Sequence, residues 1–108
     1  MPVQIETDNA TLHIKVVHPR IDGENFILKA LRDGNYFEQD FETVNVDLND
    51  VEYLNSLGIT EFVNIHRGFL ENTEGKTKLR LLNVEKKVNA ILELVELQKI
   101  ADIHLKEE

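Results

Sequence analysis

Residues 44–60, VNVDLNDVEYLNSLGIT, carry a short apolar strand through a polar turn into a helix. Val44, Val46 and Leu48 alternate with Asn45 and Asp47, the period of a strand with one buried face. Asn49-Asp50 ends that strand. From Leu57 onward Ile59, Phe62, Val63, His66, Phe69 and Leu70 fall on one helical stripe, with Glu61, Asn64, Arg67 and Glu71 opposite. Asn55, Ser56, Leu57 and Gly58 are therefore expected at the exposed N-terminal end of a helix fed by a buried strand. Free backbone N–H groups and the positive end of the helix dipole gather there, so an anion, a phosphoryl group or a partner's carboxylate would dock at this tip.

The flanking segments supply the remaining layers. Val3 and Ile5, then Leu12, Ile14 and Val16, alternate with polar neighbours around Asp8-Asn9-Ala10, which predicts a hairpin over residues 2–7 and 11–17. Pro19 ends the second strand because it has no N–H to donate. Phe26, Ile27, Ala30 and Leu31 predict a helix over Asp22–Leu31, closed by Asp33-Gly34-Asn35. Residues 36–43 show no period and read as loop. Asn72–Lys76 is a polar turn, and Leu79, Leu81 and Leu82 mark another strand. Val84, Val88, Ile91, Leu92 and Val95 predict a third amphipathic helix, and Leu97, Ile100 and Ala101 lead to a last strand near Ile103–Leu105. The order β-β-α-β-α-β-α-β predicts an α/β fold, a mixed central β-sheet with helices packed on it. Strands joined through a helix run parallel with right-handed crossovers.

Length and charge then narrow the function. The 108 residues suit a single domain over 1–108, and the chain has no cysteine, which excludes disulfides and thiolate metal sites. No apolar run approaches the roughly 20 residues of a membrane span, so membrane insertion is not expected. The opening MPVQIETDNATLHI has no basic segment followed by an apolar one, which favours the cytoplasm. A net charge of −8, from 20 acidic and 12 basic residues, repels phosphate backbones and argues against nucleic acid. It suits a basic protein partner, and equally a merely solubilising surface.

Chemistry-bearing patterns are missing. His13, His18, His66 and His104 do not fall at metal-ligand spacing, and no G-x-S-x-G, phosphate-binding or dinucleotide-binding glycine pattern occurs. Asp47 and Asp50 lie near a strand end, a frequent place for sites in open α/β sheets, yet Asp50 reads more simply as a turn former. No catalytic residue, metal or cofactor is expected, and the chain does not read as an enzyme.

Across Val44–Phe62 the chain resembles a STAS domain, the fold of bacterial anti-sigma factor antagonists. That family carries an apolar strand ending in a D-L-S/N-x-V type turn, an aromatic-apolar pair, and D-S-S-G-L opening a helix. This chain reads DLNDVEYLNSLGI over the same span. Leu79-Arg80-Leu81-Leu82-Asn83-Val84 is similar to the family's L-x-L-x-N/G-V passage, and residues 88–97 to its V-x-x-x-L-E-L-T-G-L helix. The likeness covers nearly the whole chain and has no distinctive match over Pro19–Thr43.

The resemblance implies a partner-switching module that binds a kinase-like anti-sigma factor and lets go when the serine before the glycine is phosphorylated. A phosphoryl group adds about −1.5 to −2 charge at the centre of a contact surface. Here the family's aspartate is Asn55, its first serine is Ser56, and its phosphoacceptor position is Leu57, which has no hydroxyl. Ser56 reads as the helix N-cap or as a phosphorylation site, with Thr60 a weaker candidate. Leu57 either tucks into the helix–sheet contact or stands exposed as an apolar anchor. The expected binding face is Asn55–Gly58, extended by exposed Glu61 and Asn64 and by the loop Asp22-Gly23-Glu24. The alternative is a STAS accessory subunit that stabilises a transporter's ATPase complex.

Overall fold

The computed structural model describes residues 2–107, the side chain of Asn72 excepted. In chain order its strands are β1 (Val3–Asp8), β2 (Thr11–Val16), β3 (Arg20–Ile21), β4 (Thr43–Asp47), β5 (Tyr53–Leu54), β6 (Lys78–Val84) and β7 (Asp102–Leu105). Its helices are α1 (Phe26–Asp33), α2 (Ser56–Thr73) and α3 (Lys86–Leu94).

The alternation in β1 and β2 sets the register Val3↔Val16 and Ile5↔Ile14, which keeps all four apolar side chains on one face. Asn9, at φ 54, makes the turn between the two strands. β4 lies parallel to β2, β6 to β4 and β7 to β6, giving a five-stranded sheet in the order β1-β2-β4-β6-β7. The mixed sheet with parallel strands beyond the hairpin is the architecture that the element order implies.

Leu12, Ile14, Val44, Val46, Leu79 and Leu81 are buried on one side of this sheet. Ile27, Leu28 and Leu31 of α1, Phe62, Ile65 and Phe69 of α2, and Val88 and Leu92 of α3 join them in a single core. Each large apolar side chain there contributes about 1.5–3 kcal/mol by leaving water. The intervening residues His13, Asn45 and Arg80 share a register on the other face, which is polar.

Several boundaries differ from the sequence expectation, for identifiable reasons. α1 begins at Phe26, because Gly23 at φ 115 and Asn25 at φ 57 put left-handed backbone into residues expected to be helical. A 3-10 turn over Tyr36–Glu38 occupies part of the expected loop. α2 continues to Thr73, shortening the polar turn after it. Val84 ends β6 rather than opening α3. Its side chain is buried opposite Leu105, and its spacing from Val88 matches a helical period only by coincidence.

Candidate functional site

Two strands too short to show any period build the site. β3 and β5 pair in parallel with the register Arg20↔Tyr53 and Ile21↔Leu54, forming a second, two-stranded sheet. This ribbon sets the loop over residues 22–25 beside the start of α2. Asn55 stitches the two together: its N–H donates to the Ile21 carbonyl at 3.4 Å and its side-chain amide to the Asp22 carbonyl at 3.4 Å.

The N-cap of α2 is Asn55 and not Ser56. Asn55 is extended at φ −122, and its Oδ1 accepts from the Gly58 N–H at 3.0 Å. Asparagine and serine serve almost equally as caps, so composition alone does not choose between neighbours. The Asn55 bonds to the ribbon do. Ser56 becomes the first helical residue and is exposed. Gly58 is required by close approach, since a Cβ there would lie 2.1 Å from the Ile21 carbonyl oxygen and 2.6 Å from Leu54 Cδ1.

Leu57 stands at the surface, 59% exposed. It lies over Gly23, whose absent Cβ leaves it room. Tyr53 of β5, 41% exposed, is a second exposed large hydrophobic. The Arg20 guanidinium stacks 4.3 Å from the centre of the Tyr53 ring while its Nε donates to Asp22 at 3.1 Å. Glu24 is exposed beyond them. Thr60 is exposed, and its hydroxyl donates to the Ser56 carbonyl at 3.0 Å, a bond within the helix.

Gly58, expected at the exposed tip, is instead buried against Ile21 and Leu54 of the ribbon, and a second candidate, Glu61, is also removed from the surface. It is fully buried, and its Oε2 accepts from the backbone N–H groups of Ile27 at 2.9 Å and Leu28 at 3.0 Å. Its carboxylate therefore caps α1, which has no cap from its own Asn25 side chain. Burial pushes the Glu61 carboxyl above its ordinary value, with the two N–H donors pulling the other way. A polar residue on a polar helical stripe reads as solvated. Nothing in the sequence says that another helix begins there. Asn64, two turns along from Leu57 on the same side of α2, is half-buried.

The two aspartates near the end of β4, Asp47 and Asp50, have structural partners. Asp47 Oδ1 accepts from the Asn49 N–H at 2.9 Å and the Asn83 amide at 3.0 Å, and Asp50 accepts from the Asn49 amide at 3.2 Å. Burial lowers His66 from its ordinary value. Among the described residues no group of three histidine or acidic side chains is placed to hold a metal ion. No helix among them is long and apolar enough to cross a membrane. Tyr53 and Arg20 were not singled out by the sequence pattern, because a two-residue strand carries no periodic signal.

No protein-family model matches the chain. No curated protein sequence matches it either. Solved structures do. A Thermotoga maritima protein assigned as an anti-sigma factor antagonist is similar with a TM-score of 0.73 and 17% identity, over 94% of this chain and 85% of that one. A STAS domain protein from Planctomyces limnophilus gives a TM-score of 0.75 and 16% identity, over 97% and 90%. An anti-sigma factor antagonist from Mycobacterium paratuberculosis gives 0.72 and 17%, over 94% and 83%. The chain has the STAS fold.

Proposed function

We propose that this domain is a protein-interaction module of the anti-sigma factor antagonist type, binding a kinase-like anti-sigma factor in partner switching. The observation that carries the reading is Leu57. A large apolar side chain, 59% exposed at the start of α2, lies over Gly23 of the loop that also carries the polar Asp22 and Glu24. An apolar anchor with a polar rim is the composition from which binding hot spots are made. The contact surface comprises Asn55, Ser56 and Leu57 with Asp22, Gly23 and Glu24, and Asn64 at its margin, while the buried Gly58 holds the helix start against the ribbon. Glu61 takes no part in direct contact. Its role is to hold α1 against α2.

By resemblance, Leu57 stands where related antagonists carry the phosphoserine, so the domain binds without a switch at that residue. Ser56 is the better remaining acceptor: it is exposed and stands at the helix N-terminus, where a phosphate is favoured electrostatically. Thr60 follows it, with its hydroxyl already engaged in the helix. The reading is tested by titrating the domain with an anti-sigma factor of the kinase-like ATPase fold from the same organism, then incubating the two with ATP and mapping phosphate by mass spectrometry. A stoichiometric complex is expected, with no phosphate at residue 57 and any modification at Ser56. Absence of a complex with that ATPase, beside capture of the domain by a transporter ATPase, would favour the accessory-subunit role instead.

A further inference from the structure

We propose a second docking surface, on the flank of α2 away from the tip, that takes an amphipathic helix with acidic edges from a partner protein. Some apolar residues of α2 pack on the core, Ile59 and Val63 among them, and still leave part of their surface open. Phe62, Ile65 and Phe69 are buried, whereas Ile59, Val63 and Leu70 are only partly covered and form one wall of an open groove of about 440 Å³. Val95, Leu97 and Ile100, from the end of α3 and the turn after it, form the other wall. Val95 is 47% exposed.

Dimensions and charge select the occupant. Ile59 and Leu70 are eleven residues apart, which spans roughly 16 Å and matches about three turns of a helix laid along the groove. The groove's charged residues are Arg67, Lys99 and Glu96, with Glu96 paired to Lys99 at 3.1 Å. Two cations against one anion leave +1 at the groove, on a chain whose net charge is −8. Burial keeps His66 on its neutral side. A helix edged by aspartate or glutamate is repelled by most of this surface and attracted here, so charge guides it to the groove and away from the tip.

The groove is independent of the tip, and its test leaves the tip out. The probe is a synthetic helical peptide of roughly 15 residues with leucines at i, i+4, i+7 and i+11 and glutamates on both flanks. A second peptide replaces the glutamates by lysines. Titration into the isotopically labelled domain is expected to shift NMR signals of Val63, Leu70, Val95 and Ile100, with the glutamate peptide binding more tightly. Arg67→Glu, a surface change, is expected to weaken the glutamate peptide about fivefold and strengthen the lysine peptide, on the scale of one exposed ion pair. It leaves the affinity of the anti-sigma partner at Leu57 unchanged. Shifts centred elsewhere, no shifts at millimolar peptide, or indifference to peptide charge would overturn the proposal. So would a dimer of the domain that the peptide dissociates, which would give the groove to a second copy.

Discussion

Leu57 lies across Gly23, so closely that a Cβ added to the glycine would stand 2.9 Å from Leu57 Cδ1 and 3.0 Å from its Cβ. Gly23 also holds φ at +115, a conformation that side chains rarely adopt. Gly23→Ala is thus expected to cost about 1–3 kcal/mol in urea unfolding and to push Leu57 off its seat. Partner affinity should fall along with stability. A Gly23→Ala protein with the stability and affinity of the parent would show that the loop does not position the leucine.

Gly58 makes a tighter contact, with the backbone of Ile21. Because the obstacle is a carbonyl oxygen and not a flexible side chain, Gly58→Ala forces α2 away from the two-stranded ribbon. A loss of about 2–3 kcal/mol is expected. Changes in amide chemical shift should concentrate at Ile21, Leu54 and Asn55.

Capping distinguishes two neighbouring residues. Asn55→Ala is expected to destabilise the domain by about 1 kcal/mol or more, since it loses the bonds to both Gly58 and Asp22. Ser56→Ala is expected to change stability by less than about 0.5 kcal/mol, as for an exposed site away from such bonds. Thermal unfolding of the two variants side by side measures the difference.

Glu61 confers a pH dependence with a definite sign. Burial raises its folded value above the ordinary 4.5, so the native state holds this proton more tightly than the unfolded chain. The stabilisation that follows is complete below pH 4.5 and is lost as pH rises through the folded value. Glu61→Gln, which can still accept from Ile27 and Leu28, is expected to flatten that slope in unfolding free energy. Glu61→Ala leaves two buried N–H groups without their acceptor and should cost about 2–4 kcal/mol, more at low pH than at high pH. A Gln variant that kept the full parental slope would place the titration on another group.

The architecture was legible because its strands and helices are long enough to repeat their periods. Leu12, Ile14 and Val16 show period two, and Ile59, Phe62, Val63 and Phe69 show the helical period, so hairpin and helices follow, although Ile65, fully buried, falls outside the stripe predicted from the sequence. The tip at Asn55–Gly58 was legible for a different reason: a cap residue and a glycine close together at the start of an apolar stripe mark a helix N-terminus. What escaped depended on contacts between distant segments. Arg20–Ile21 and Tyr53–Leu54 become strands only because they meet each other, 33 positions apart in register. Glu61 looked solvent-facing because its burial is imposed by Ile27 and Leu28, 34 and 33 residues earlier. Pairings at that range leave no local period to read.

Calorimetric titration of the Leu57→Glu domain against the kinase-like anti-sigma factor proposed as its partner, beside the parent, bears most directly on the role of the tip. Leu57 is exposed, so the variant is expected to unfold at the parental temperature while losing at least about 2 kcal/mol of binding, roughly thirtyfold in Kd. A folded Leu57→Glu domain that bound with undiminished affinity would contradict the account.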